Sequence, residues 1–169
     1  MKAYQDMVYS TARRLLGNDA HARDISQEVF LKAYQRFEDI AGSPTAGGWL
    51  KTVTRNLALN HLSRYRRRFR LFSEFPTSED GETTLPEPEH LDAVLEGLDD
   101  HARHARIEAA LARLPERQRV PLVLFHFEAL PYQQIAAMLG STLAKVKTDI
   151  HRGRLALAIS LVDERSALP

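Results

Sequence analysis

The sequence predicts an all-α protein: two small helical domains joined by an acidic linker, the C-terminal one containing a helix-turn-helix. Three observations lead there. Apolar residues recur three and four positions apart on both sides of the chain's middle, with no persuasive two-residue alternation of the kind a half-buried strand needs. The stretch from Phe72 to Pro88 gathers Pro76, Gly81, Pro86 and Pro88 among Ser, Thr and Glu, a composition with little to bury. Charge is segregated along the chain although the net value is only +1. These place the domains at 1–71 and 101–169, with the linker at 72–100.

The segregation is sharp. Lys51, Arg55, Arg64, Arg66, Arg67, Arg68 and Arg70 follow one another with no acid between them. From Glu74 to Asp100 the reverse holds: ten acids and no Lys or Arg. Beyond His101 cations again outnumber acids, mainly through Arg103, Arg106, Arg113, Arg117, Arg119, Lys145, Lys147, Arg152 and Arg154. Two basic regions therefore flank an acidic connector.

Composition narrows the classes further. A hydrophobic share of 44% and a charged share of 27% over 169 residues suit a globular protein able to bury a core. No apolar run approaches the ~18 residues of a membrane span, and no short apolar block follows basic residues at the start, so a cytoplasmic protein without membrane insertion is expected. With no cysteine, disulfides, thiolate zinc sites and cysteine nucleophiles are excluded. No cofactor is expected.

The elements follow in order. Tyr4, Met7, Val8, Ala12 and Leu15 form one stripe, stopped by Gly17 where a left-handed cap is wanted. Asn18 or Asp19 caps a second helix with Ala22, Ile25, Val29, Phe30, Ala33 and Phe37 turned inward and Asp24, Gln27, Glu28 and Lys32 outward. Ser43-Pro44 reads as an N-cap followed by a first-turn proline, and Gly47-Gly48 blurs the start. A long third helix follows, with Trp49, Leu50, Val53, Leu57 and Leu62 inward, and runs into the arginine block. Leu91, Val94, Leu95 and Leu98, at helical spacing, suggest a short helix late in the linker.

In the second domain Ile107, Ala110, Leu111 and Leu114 make a helical face ended by Leu114-Pro115. Glu116 to Glu128 comes next, apolar at Val120, Val123, Leu124 and Phe127. Pro121 is expected to delay its start or bend it, since proline lacks an amide donor and crowds the preceding turn. Pro131 opens a short helix ending at Gly140, and Ser141 or Thr142 caps a last one from about Leu143 to Leu161.

Pro131 to Leu155 has the internal logic of a helix-turn-helix. Ala136 is small where the helices cross, Gly140 permits the turn, and Val146 and Ile150 face Ile135 and Leu139. The second helix then offers Lys145, Lys147, Thr148, His151, Arg152 and Arg154, and in such motifs that helix enters the major groove. A solvated face on an ordinary helical hairpin is the plainer alternative. In the earlier arginine block, Trp49, Tyr65, Phe69 and Phe72 interleave with cations, which suits stacking on unpaired bases while arginines hold the backbone. Solvated surface is the alternative there too, and Trp49, in register with Val53, fits the core as well. Asn56 and Asn60 lie one turn apart on one face, with amides able to meet a base edge.

These segments resemble a known family. Ala22-Arg-Asp-Ile-Ser-Gln-Glu-Val-Phe-Leu-Lys-Ala-Tyr34 is similar to the polymerase-binding segment of sigma factors, and Trp49-Leu-Lys-Thr-Val-Thr-Arg-Asn-Leu-Ala-Leu-Asn-His-Leu62 with its arginines to their promoter-melting segment. Leu114-Pro-Glu-Arg-Gln-Arg119, Phe127-Glu-Ala-Leu-Pro-Tyr-Gln-Gln-Ile-Ala136 and Val146-Lys-Thr-Asp-Ile-His-Arg-Gly-Arg154 resemble the module that reads the upstream promoter box. The blocks occur in order over nearly the whole chain outside the linker. Lacking the extra domains of larger members, the chain resembles the two-domain extracytoplasmic-function group of the sigma-70 family.

The resemblance implies roles. Asp24, Gln27, Glu28, Phe30 and Leu31 fall where such proteins meet the beta-prime clamp helices of core RNA polymerase, whose beta flap is a second contact. Asn56 and Asn60, with Arg55, Arg64, Arg66 and Arg67 and the loop from Ile40 to Ala46, fall where the minus-10 element is opened and a flipped base captured. Lys145, Lys147, Thr148, His151, Arg152 and Arg154 fall on the helix for the minus-35 element. The linker is expected to run toward the catalytic cleft, its acids mimicking nucleic acid. An anti-sigma factor is expected as regulator.

Departures are informative. The family carries a further helix ahead of the one beginning at Ala3, which points to a trimmed first module or a start codon further upstream. Asp149 stands where a basic or small polar residue is usual; a carboxylate there repels phosphate but can accept from a cytosine amine. Ser141 replaces a common apolar residue in the turn. These bear on the promoter sequence, not on the class.

Two rival readings compete. An enzyme needs convergent groups, and the best on offer are His101 and His104 near Asp99 and Asp100, or His61 with Asn60. The histidine pair lacks a matching ligand pair elsewhere, so no metal site and no catalysis is expected. A duplex-binding regulator without polymerase explains the last module but leaves the Asp24–Tyr34 and Asn56–Arg70 segments without a role.

Overall fold

The computed structural model describes residues 4–70 and 100–166, and every regular element in them is a helix. In chain order they are α1 (Gln5–Leu16), α2 (Asp19–Gln35), α3 (Phe37–Ile40), α4 (Ala46–Arg70), α5 (Asp100–Arg113), α6 (Glu116–His126), α7 (Tyr132–Leu139) and α8 (Leu143–Ser166). They belong to two compact units, one within Met1–Glu79 and the other within Asp80–Pro169. The short helix expected at Leu91–Leu98 lies outside the described residues. No described helix is long and apolar enough to cross a membrane.

In the first unit α1, α2 and α4 pack on one another around Val8, Ala12, Leu15, Ala22, Val29 and Ala58, all fully buried. Gly17 ends α1 at φ 64°, the left-handed region that costs an L side chain about 1–2 kcal/mol. Of the two capping candidates Asn18 is the cap: its Oδ1 accepts from the His21 amide at 3.1 Å. Asp19 instead turns back to α1, where Arg13 Nε donates to it at 2.6 Å. That guanidinium holds the Asp19 carboxyl below its ordinary pKa.

Three expectations for this unit need correction. Phe37 is 54% exposed rather than in the core, because α2 stops at Gln35 and the break at Arg36 changes the register. Ser43-Pro44 does not begin α4. Ser43 and Pro44 lie in a turn in which Ser43 Oγ meets Thr45 Oγ1 at 2.8 Å, and the helix starts at Ala46. Of the row expected inward on α4, Leu50 and Leu62 are buried, but Trp49, Val53 and Leu57 are displaced by one position. Ala46, Leu50, Thr54, Ala58 and Leu62, four apart, are the buried ones, while Trp49, Val53 and Leu57 are half-buried beside them. Thr54 enters the core by spending its hydroxyl on the Leu50 carbonyl at 2.7 Å.

In the second unit α8 packs on α5, α6 and α7, and α6 also meets α7. Six successive residues of α6, Arg119 to Leu124, are buried, so this stretch of the helix is covered on every side rather than along one stripe. Pro121 does not delay it: α6 begins at Glu116, with the Gln118 and Arg119 amides closing on the Pro115 carbonyl. Gly153 lies where α8 comes close to α6, and an added Cβ there would meet the Gln118 carbonyl at 3.3 Å. Ala129 carries a φ of 52° in the α6–α7 turn. Two of the cations counted above serve structure. Arg119 is buried, and Arg106 Nη2 donates to the Leu161 carbonyl at 2.9 Å, tying α5 to α8.

Candidate functional site

Three helix faces carry the residues singled out from sequence. The first is the outer face of α2. Asp24, Gln27, Glu28 and Leu31 recur at helical spacing and all are exposed, whereas Phe30 is half-buried at the edge of the core. Leu31 is 63% exposed and Tyr34, one turn on, 74%. Beyond them Tyr34, Arg36, Phe37 and Asp39 line a hollow at the α2–α3 junction. Apolar and carboxylate side chains exposed side by side suit a protein partner with complementary cations. The Lys32–Glu28 contact at 3.9 Å is exposed and contributes little.

The second face lies on α4. Asn56, Asn60 and Arg64 stand one turn apart and exposed, with Arg66 and Arg67 exposed after them and Arg55 half-buried behind. Arg67 Nη2 reaches Ser63 Oγ at 3.4 Å. The Ile40–Ala46 loop precedes this helix and turns at Gly42, φ 77°. Tyr65 is 48% exposed among the arginines. Side chains of Phe69 and Phe72 lie outside the described residues, as does the acidic run. Sequence reasoning missed His21 on this surface: its ring packs on His61 with centroids 4.6 Å apart and lies 6.5 Å from Tyr65. Burial, and then the fields of His21 and Arg64, push the His61 pKa down. The signal available was the cap itself, since Asn18 fixes where α2 begins and so where His21 points.

The third face is built by α7 and α8. Pro131 precedes α7, Gly140 ends it at φ 60°, and the Ser141 amide closes on the Ala136 carbonyl at 2.9 Å. Thr142, not Ser141, caps α8: its Oγ1 accepts from the Lys145 amide at 3.2 Å. Val146 and Ile150, each 1% exposed, turn inward as Ile135 and Ala136 do, and α7 packs on α8 there. That inward pair fixes the outward set. Lys145 and Lys147 are exposed, and Thr148, half-buried, returns its hydroxyl to the Ala144 carbonyl at 3.0 Å. Arg152 is half-buried, and the His151 Nε2 is enclosed without a hydrogen-bond partner. Arg154 Nε donates to His126 Nε2 at 3.1 Å, with its guanidinium 5.6 Å from the Phe125 centroid. Asp149 departs from expectation: at 9% exposure it sits next to Ile150 on the inward side, so it is not placed to repel phosphate or meet a cytosine. The His126–Arg154 link was also missed, because 28 residues separate its partners.

Comparison with known proteins agrees with this layout. The family Sigma-70 region 2 matches residues 1–68, and Sigma-70, region 4 matches residues 104–157. The ECF RNA polymerase sigma factor SigE of Mycolicibacterium smegmatis is 34% identical over 160 residues, covering 91% of this chain, which spans 57% of that protein's length. The RNA polymerase sigma-E factor of Streptomyces coelicolor is 30% identical over 162 residues, 96% of this chain and 84% of that one. The sigma factor RpoE of Bartonella quintana, solved with the anti-sigma factor NepR, shares the fold at a TM-score of 0.53 and 21% identity, over 95% of this chain and 92% of that one. Two sigma-70 regions in order, one on each helical unit, with relatives of this kind, make the chain a member of the extracytoplasmic-function group of the sigma-70 family.

Proposed function

We propose that the two units divide promoter-specific transcription initiation between them, with the region within 72–100 serving as an acidic connector. The exposed face of α2, Asp24, Gln27, Glu28 and Leu31 with Phe30 at its edge, binds the beta-prime clamp helices of core polymerase. Asn56 and Asn60, flanked by Arg55, Arg64, Arg66 and Arg67, engage the minus-10 element and the strand that opens there, amides toward bases and arginines toward phosphates. The second unit docks α8 in the major groove of the minus-35 element through Lys145, Lys147, Thr148, His151, Arg152 and Arg154, and meets the beta flap. The protein acts in the cytoplasm by binding, without turning over a substrate.

One observation carries this reading: burial of Val146 and Ile150 against the α7 side leaves Lys145 and Lys147 exposed on the second helix of a paired-helix motif. Regulation by an anti-sigma factor is supported by the fold shared with a sigma factor held by one. Transcription with core polymerase from the promoter of the protein's own operon tests the whole. Wild type initiates, Arg152→Ala loses upstream-box binding, and Asn56→Ala impairs opening more than duplex affinity. Normal transcription by both variants refutes the residue assignments, and failure to associate with core refutes the function.

A further inference from the structure

The first two turns of α8 carry methyl groups between their cations, and the roles given above leave those methyls without a target. Ala144 and Thr148 stand one helical turn apart, Ala144 exposed and Thr148 half-buried, with exposed Lys145 and Lys147 beside them. Val146, Asp149 and Ile150 are the buried residues of the same stretch, so the Ala144–Thr148 row lies off the packed side of the helix. Recognition helices meet base edges with residues near their N-terminal end, and α8 begins at Leu143.

The polar groups along this row are already engaged. Thr148 Oγ1 donates to the Ala144 carbonyl at 3.0 Å, and a hydroxyl has a single proton, so none is left to donate to a base. The same bond fixes the threonine's stiff χ1 and with it the place of the methyl. Thr142 Oγ1 is likewise engaged with backbone, accepting from the Lys145 amide at 3.2 Å. From Leu143 to Arg152 the chain has no Asn, Gln or Glu, the side chains that pair with adenine or cytosine edges in the major groove. Asp149, the one carboxylate of that stretch, is buried. What Ala144 and Thr148 can offer an A·T pair is therefore apolar contact, and in the major groove the apolar feature of that pair is the thymine C5-methyl.

We propose that Ala144 and Thr148 are specificity-determining residues: together they form an apolar contact for a thymine C5-methyl in the upstream promoter duplex, while the Thr148 hydroxyl stays bonded to its own helix. The proposal rests on α8 being the duplex-reading helix.

The test measures affinity of the full-length chain for a fluorescent duplex, selected by the wild type from a randomised pool, in which each thymine is replaced in turn by deoxyuridine. That change keeps every hydrogen bond and removes only the methyl. At the contacted position it lowers wild-type affinity about fourfold, the worth of one buried methyl group. Thr148→Ser, which keeps the hydroxyl and loses the methyl, binds the thymine duplex about fourfold more weakly and distinguishes uracil less at that position. Thr148→Val, which keeps the methyl and loses the hydroxyl, binds and discriminates as the wild type does. Ala144→Gly also narrows the preference for thymine. Circular dichroism confirms folding of each variant. If no thymine is sensitive to loss of its methyl, or if Thr148→Val weakens binding and Thr148→Ser does not, the methyl contact is wrong, and the reading of α8 survives where Lys147→Ala still lowers the salt slope. If Lys147→Ala and Arg152→Ala both bind as the wild type does, or if no duplex is enriched, the reading of α8 fails first.

Discussion

Arg119 Nη1 donates to the backbone carbonyl of Leu114 at 2.8 Å, from a side chain only 7% exposed. The acceptor lies just past the end of α5, where helix carbonyls lack partners of their own. A cation in the interior thus closes the α5–α6 corner. Burial lowers its pKa, yet an arginine stays charged at any ordinary pH. Arg119→Met keeps the stem and removes the donor, leaving a buried carbonyl unsatisfied. We expect a loss of about 1–3 kcal/mol in chemical denaturation, with no change in the salt slope of DNA binding. An unchanged denaturation midpoint refutes the corner role.

Acid weakens the first unit through His61. Its pKa in the fold is pushed below the ordinary value by burial first and then by His21 and Arg64. The folded state therefore binds fewer protons than the unfolded chain. Stability is fully present above the unfolded value of about 6.5 and is lost as pH falls through it toward the lower folded pKa. Urea midpoints of the wild type should fall between neutral and mildly acid pH, and those of His61→Gln should fall less. His126 contributes in the same direction from the second unit, so the comparison is between variants, not against a flat line. Equal pH dependence of the two proteins refutes the assignment.

The turn between α7 and α8 depends on Gly140, whose φ of 60° is the left-handed conformation that a side chain resists. Nothing stands within 4 Å of a Cβ placed there, so the cost of Gly140→Ala is conformational alone, about 1–2 kcal/mol. Gly140→Val adds β-branching and should cost more. Thermal unfolding ranks the three proteins, and an alanine variant as stable as the wild type would show that the turn tolerates another geometry.

Asp149 and Lys147 sit two residues apart on α8 and should behave oppositely. Lys147 is exposed and Asp149 is 9% exposed on the inward side. Lys147→Ala should leave stability within about 0.5 kcal/mol and lower the salt slope by about 1 if it meets a phosphate. Asp149→Ala should lower stability and leave base preference unchanged in selection from a random pool. A shift in preference with Asp149→Ala would return that carboxylate to the groove.

How far the sequence carried depends on what each residue's signal was made of. Gly17 and Gly140 were legible because a left-handed cap wants glycine, and Val146 and Ile150 because a β-branched pair one turn apart has few other uses. On α4 the apolar pattern marks Leu50 and Leu62 of the buried row but not its middle. Trp49, Val53 and Leu57 are the stronger apolar signal, yet the core takes Thr54 and Ala58, a hydroxyl satisfied by its own helix and a methyl that allows close packing. Phe37 was misplaced because nothing in Gln35-Arg36 announces that the helix stops. In the candidate site, exposure of the α8 lysines follows from periodicity. The Arg154–His126 bond and the His21–His61 ring contact do not, since each needs two helices brought together by packing.

The α2 face offers the sharpest test of partner binding. Leu31 is 63% exposed between Glu28 and Tyr34, so its side chain contributes little to the fold of the free protein. An exposed leucine becomes valuable only when a partner covers it, and full burial is worth about 1.5–3 kcal/mol. Leu31→Ala should therefore weaken association with core polymerase by roughly 10- to 150-fold by the usual conversion of free energy to affinity, and Leu31→Asp more, because a carboxylate there would be buried without a partner. Neither variant should lower the melting temperature by more than a surface change does, and neither should alter duplex affinity of the second unit. Core binding measured by competition against the wild type decides it. Wild-type affinity for Leu31→Asp would move the polymerase contact off this face, and a fall in melting temperature would reassign Leu31 to the fold.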